Sequence, residues 1–335
     1  MKNNPISATI DFEEDGIQHG FLKVPYSSNL SAWGSVMIPI TQLKRGDGPT
    51  ALLSGGNHGD EYEGPTALFD LANQLSIERV NGRIIIIPAM NHPAFVAADR
   101  VSPIDNVNLN RTFPGNPQGT VTQVIADYFS RTLVPMADIV LDIHSGGKTL
   151  DCLPFAASHV LEDKALEARC DAAAKAFGAP FLLKMLELDA DAMYDTQVES
   201  MGKTFVTTEL GGGGTSTPNT MAVAHNGVHN LLVHAGILSA KLKPNTTPTI
   251  HLSMPDNSSF ICCYHEGLVE PCVGLGDKVK TGDLVAKIHN IQRTGCDPAL
   301  YYAKRDGMVC IKHAPSLISM GDNLFVIAQI EDPTN

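Results

Sequence analysis

The sequence predicts an α/β protein, a mixed sheet flanked by helices and followed by a smaller all-β domain. From about residue 49 to residue 240, short β-branched runs alternate with amphipathic or Ala-rich segments, the rhythm of an α/β layer sandwich. After Ala240 that rhythm stops. Residues 243–248 read as a linker, and strand and turn signals without a helical pattern follow it.

Within the first part, residues 51–54, 84–88, 139–143 and 205–209 are nearly all apolar, as strands buried on both faces must be. Segments 65–75, 122–133, 161–177 and 220–235 carry helical spacing, the last preceded by Pro218-Asn219 as a cap. We therefore expect a catalytic unit over residues 1–243, with about the first 30 residues packing against the tail, and a β-rich unit over 244–335. In the tail, segments 267–269 with 280–288 resemble 307–309 with 319–327, each reading as strands around a Gly-Asp turn. The pair resembles the two halves of a biotinyl/lipoyl-type barrel-sandwich domain. The hairpin that would carry a lysine in such a carrier falls near residues 290–294, which contain none. A cap or subunit contact is expected instead.

The chain has 335 residues, 43% of them apolar, enough for one large core and a satellite. A formal charge of -12 without a basic cluster argues against nucleic acid and anionic membrane surfaces as partners. The first 16 residues have no signal-peptide pattern, no apolar run is long enough to span a bilayer, and the seven scattered cysteines suit neither a disulfide framework nor a thiolate metal site. A cytoplasmic protein acting on a small molecule, and assembling as a homo-oligomer, is the expectation.

Chemistry concentrates at predicted strand ends. After the strand near residues 51–54, two glycines lead to His58 and Glu61, three apart, whose imidazole and carboxylate can aim at one metal ion. Alone, the same residues read equally as a loop histidine and a helix-capping glutamate. The strand 139–143 also ends in a histidine, His144, before a flexible turn. Neighbouring strands of a mostly parallel sheet share a crevice at their carboxyl ends, so His144 can be a third ligand, leaving a position for water. Asp142 could accept a hydrogen bond from a ligand imidazole, or simply end its strand on backbone. Glu209 closes the strand 205–209 before four glycines, where a carboxylate could carry a proton from water to a leaving amine. Between these motifs, Arg111 with Asn110 could grip a carboxylate and Arg100 could offer charge to an amide oxygen; the plain alternative is a surface loop with ordinary exposed arginines, as most arginines are. His225, His229 and His234 share one predicted helix without a third ligand and read as surface residues; His92 reads as a turn residue and Cys152 as structural.

The order of these motifs, from His58-x-x-Glu61 through Arg100, Asn108-Leu109-Asn110-Arg111 and Asp142-Ile143-His144 to Glu209, resembles the succinylglutamate desuccinylase/aspartoacylase family over residues 52–214. That resemblance implies a zinc-carboxypeptidase-like fold and one Zn2+ per chain on His58, Glu61 and His144. It implies Glu209 as general base and acid, Asn110 and Arg111 on the substrate carboxylate, and Arg100 on the scissile carbonyl. The implied activity is deacylation of an N-acyl amino acid, and length, the 55–61 motif and the tail most resemble members acting on N2-acetyl-2,4-diaminobutyrate. Acids of segment 186–195, Asp189 and Asp191 among them, could draw such a cationic side chain, or could be a solvated face. Desuccinylation, aspartoacylase-like deacylation, metallocarboxypeptidase activity and a non-catalytic metal-binding scaffold are the alternatives.

Overall fold

The computed structural model describes residues 3–185, 191–245 and 248–331. Its centre is four parallel strands in the spatial order Gly82–Ile87, Thr50–Gly55, Ile139–His144 and Thr204–Glu209. Thr50–Gly55 and Ile139–His144 are buried at every residue, which explains their unbroken apolar texture. Alternation across the pleat divides their side chains between two cores. Leu53, Leu141, Ile143 and Val206 pack with the helices Glu63–Gln74, Lys164–Phe177 and Pro218–His234. Leu52, Val140 and Phe205 face the opposite core, which holds Val121–Tyr128 and the N-terminal strands.

Strands outside the predicted set complete the sheet. The long hairpin of Gly16–Pro25 and Ser35–Arg45 adds two antiparallel strands beyond Gly82–Ile87. Residues 3–30 thus lie at the edge opposite the tail, and the expectation that this segment packs with the tail is corrected: Ile6, Ile10, Leu22 and Val24 bury into the catalytic core. On the other side Phe155–His159 runs antiparallel to Thr204–Glu209, and Phe181–Met185 pairs with it in parallel.

Helix boundaries follow local chemistry. Asp163 accepts the N–H groups of Ala165 and Leu166 and so starts Lys164–Phe177. The cap of the last helix is Thr217 rather than Pro218-Asn219, because its hydroxyl reaches the Thr220 N–H and Pro218 fits the first turn without needing its own. The helix predicted over 122–133 passes at Phe129 into a wider π turn. Among the described residues no helix is long and apolar enough to cross a membrane.

The tail joins the main sheet directly. Ile250–Ser253 pairs in parallel with Phe181–Met185 and antiparallel with Asn323–Ile330, which pairs in turn with Gly307–His313. A separate antiparallel sheet of Ala299–Tyr302, Leu284–His289, Gly267–Pro271 and Leu317–Ile318 packs through Val285 and Ile288 onto Val309, Leu324 and Ile327.

One close approach tests the packing of the helical layer. A Cβ at Gly227 would lie 2.1 Å from the ring of the fully buried Phe177. Alanine favours a helix over glycine by about 1 kcal/mol, but forcing a buried ring aside costs about 1–3 kcal/mol. Gly227→Ala should therefore lower the denaturant midpoint despite its better propensity, and a raised midpoint would refute this account.

Candidate metal centre and pocket

The segment after Thr50–Gly55 turns through Gly56, whose φ of +63° suits glycine, and packs tightly onto the helix His92–Ala97, where a Cβ on Gly59 would lie 2.0 Å from the Ala94 carbonyl carbon. This holds His58 and Glu61 beneath the crevice, while the neighbouring strand delivers His144 at its last residue. His58, Glu61 and His144 are buried, and each offers a ligand atom within 4.8 Å of the others. Glu61 Oε1 lies 2.7 Å from His58 Nδ1, and Oε2 lies 2.9 Å from His144 Nδ1. Among the described residues this is the only group of three His, Cys, Asp or Glu side chains arranged for a metal ion. His225 instead pairs with Asp70, and His229 meets the Lys241 carbonyl.

The hydrogen bonds behind the imidazoles test whether a cation fits. Asn108 Oδ1 accepts the Asn110 N–H at 3.0 Å, so it can only accept from His58 Nε2, 3.2 Å away. Burial lowers the pKa of His58, and with Nε2 turned to Asn108 its Nδ1 faces a carboxylate oxygen at 2.7 Å. That contact needs a cation, a proton or a metal ion, shared between nitrogen and oxygen. His144 Nε2 donates to Asp142 Oδ2 at 2.8 Å, while Ser54 and Asn57 hold the same carboxylate. Burial alone would lower the pKa of His144, but Asp142 and Glu61 raise it well above the usual value. Glu61 is pushed upward by burial and is nonetheless held well below the carboxylate range by the two imidazoles. The centre thus draws positive charge to the point between its three donors, and two imidazoles with one carboxylate suit zinc.

A cavity of about 250 Å³ opens over the cluster. Glu209 lines it from the end of Thr204–Glu209, in register with His144. Burial, and then repulsion from Glu61, pushes its carboxyl up to about 8. Arg100 lines the cavity with Nη1 3.6 Å from Glu61 Oε1, and Arg111 lines it with Nη1 donating to the Asn110 carbonyl. Asn110 is also at the wall, its side-chain oxygen accepting the Tyr194 N–H at 2.9 Å.

The acidic segment divides. Glu187 and Asp189 lie outside the described residues. Asp191 is exposed and does not line the cavity, so its placement in the pocket is corrected: the chain turns through Ala192 at a left-handed φ of 62° before the helix Tyr194–Ser200 begins. Asp195, in the first turn of that helix, lines the cavity instead.

Three features escaped the sequence reading. Asn108 backs His58 from inside the motif that supplied Arg111. Cys152 lies with Sγ 3.9 Å from Glu209 Oε2, and burial raises its pKa so that it remains a thiol donor. Met254, Phe260 and Ile311 bring tail residues into the pocket wall. Only Asn108 had a local signal.

Fold and site together define the class, a zinc-dependent hydrolase acting on an amide bond. The chain belongs to the succinylglutamate desuccinylase/aspartoacylase family, whose catalytic-domain model matches residues 47–235. It is 56% identical over 330 residues to the N-alpha-acetyl-L-2,4-diaminobutyric acid deacetylase of Halomonas elongata, covering 98% of this chain and 96% of that one. Its structure is similar to the product-bound ectoine utilization protein EutE (DoeB) of Ruegeria pomeroyi, with a TM-score of 0.96, 55% identity and coverage of 98% and 100% of the two chains. A succinylglutamate desuccinylase/aspartoacylase structure from Rhodobacter sphaeroides matches at a TM-score of 0.93 and 37% identity, over 97% of this chain and 99% of that one.

Proposed function

We propose that the chain holds one zinc ion on His58, Glu61 and His144 and hydrolyses N2-acetyl-2,4-diaminobutyrate to acetate and 2,4-diaminobutyrate. The observation that carries this reading is the buried His/Glu/His cluster beneath a small cavity, in a chain 56% identical along its length to a deacetylase of that specificity. When bound, zinc would supply Lewis acidity to the acyl carbonyl and the attacking water. Arg111 and the side-chain amide of Asn110 receive the α-carboxylate, and Arg100 sits where the carbonyl oxygen gains negative charge. Glu209 takes a proton from water as the water oxygen bonds to the acyl carbon, and returns it to the nitrogen as the C–N bond breaks. Cys152 donates to Glu209 and helps fix its orientation.

Residues 244–335 we read as a barrel-sandwich-like unit that caps the pocket, supported by the contribution of Met254, Phe260 and Ile311 to its wall. Leu30 and Trp33, 98% and 99% exposed, favour burial in a homo-oligomer, and seven free cysteines suit a reducing cytoplasm. The function is tested by amine release from a panel of N-acyl amino acids. N2-acetyl-2,4-diaminobutyrate should be the best substrate. A preference for N-acetylaspartate or N2-succinylglutamate would replace this reading with a desuccinylase or aspartoacylase one, and a metal-binding scaffold would release no amine.

A further inference from the structure

Three carboxylates line the pocket beside the cluster, and two of them already serve the metal centre or the proton transfer. Asp142 Oδ1 accepts from Ser54 and its Oδ2 from Asn57 and His144, while Glu209 is placed for proton transfer. Asp195 differs. It is 7% exposed, and its Oδ1 accepts the N–H of Thr196 at 2.6 Å and the Thr196 hydroxyl at 3.3 Å. Its Oδ2 makes no hydrogen bond among the described residues and lies 3.8 Å from Nε2 of the buried His159, whose Nδ1 lies 3.0 Å from Glu199.

We infer that Asp195 is the specificity residue of this pocket and receives the side-chain ammonium of a 2,4-diamino acid. The inference rests on the deacetylase reading above and names the group that would choose among its substrates. The Tyr194 N–H donates to Asn110 Oδ1, the Phe113 N–H donates to the Ala192 carbonyl at 3.0 Å, and the Phe113 and Tyr194 rings stack at 4.7 Å. These contacts dock the segment carrying Asp195 onto the segment carrying Arg111. The cation for the α-carboxylate and the anion for the side chain therefore belong to one packed unit, which suits a short substrate with opposite charges a few bonds apart. Met185 and Met193 line the same pocket and can cover the intervening methylenes. A second substrate carboxylate would meet a like charge at Asp195, and a neutral side chain would leave its Oδ2 with only the longer His159 contact at 3.8 Å.

The test compares kcat/KM of the zinc-loaded enzyme for N2-acetyl-2,4-diaminobutyrate and for N-acetyl-2-aminobutyrate, which has the same carbon chain without the ammonium. The wild type should favour the cationic substrate by on the order of a hundredfold or more. In Asp195→Asn this ratio should fall at least about tenfold, through loss on the cationic substrate alone, since one desolvated charge contact is worth that much or more. Asp195→Ser removes the charge while keeping an oxygen for Thr196, and serves as a second variant. Calorimetry with the products 2,4-diaminobutyrate and 2-aminobutyrate should give the same contrast in Kd without turnover. An unchanged ratio in folded variants, or equal losses on both substrates, would overturn the role of Asp195 while leaving the deacetylase reading standing. Failure of the wild type to release amine from either substrate would instead sink that reading, and this inference with it.

Discussion

Replacing Glu209 by glutamine should lower kcat for amide hydrolysis by about a hundredfold or more, the usual range for a lost general acid/base group, while leaving zinc content at one equivalent. Glutamine keeps the size of the side chain and can still accept from Cys152, so packing around it should persist. It cannot take a proton from water or return one to the leaving nitrogen. Glu209 stands apart from the ligand atoms of His58, Glu61 and His144, which separates loss of turnover from loss of metal. Burial, and then repulsion from Glu61, pushes its carboxyl up to about 8, and the charge of a bound zinc ion would draw it back toward the carboxylate form that takes the proton from water. Single-turnover kinetics and metal analysis of the purified variant decide the matter; turnover near that of the wild type would remove Glu209 from the mechanism.

The parts of the fold that were legible are those whose physics is local. Strands buried on both faces carry no alternation, and for that reason Leu52, Leu53, Val140 and Leu141 stood out as central. A parallel sheet places strand ends together, so the sequence alone brings His58 and His144, 86 positions apart in the chain, to one crevice. What depended on distant partners was not legible. The hairpin of Gly16–Pro25 and Ser35–Arg45 mixes polar with apolar residues because its outer face meets solvent, and no periodicity assigns it to one edge of the sheet rather than the other. The pocket wall from Met254, Phe260 and Ile311 depends on a strand pairing between Ile250–Ser253 and Phe181–Met185 that no short-range pattern encodes. Asp191 and Asp195 look alike in sequence, and a left-handed turn at Ala192 together with the Tyr194–Asn110 bond decides which of them reaches the cavity.

Dialysis against a strong chelator should abolish amide hydrolysis, and one equivalent of zinc should restore it. His58→Ala and His144→Ala should each retain well under one equivalent and lose activity by about three orders of magnitude or more, because Lewis acidity for the carbonyl and the attacking water disappears together. The surrounding bonds make a graded version of the experiment possible. Asp142 holds the His144 ring by its Nε2 and Asn108 holds His58 in the same way, so both rings present Nδ1 to the centre. Asp142→Asn keeps the shape but removes the charge that fixes this orientation, and outer partners of that kind are worth about 10- to 100-fold in metal affinity. Zinc titration should therefore rank the wild type above Asp142→Asn, and Asp142→Asn above His144→Ala, with activity at saturating zinc largely recovered only in Asp142→Asn. If the chelated protein remained fully active, or if His144→Ala bound zinc as tightly as the wild type, the three buried side chains would be a structural ion-pair network. The tautomer argument at His58 would then require a proton rather than a metal between Nδ1 and Glu61.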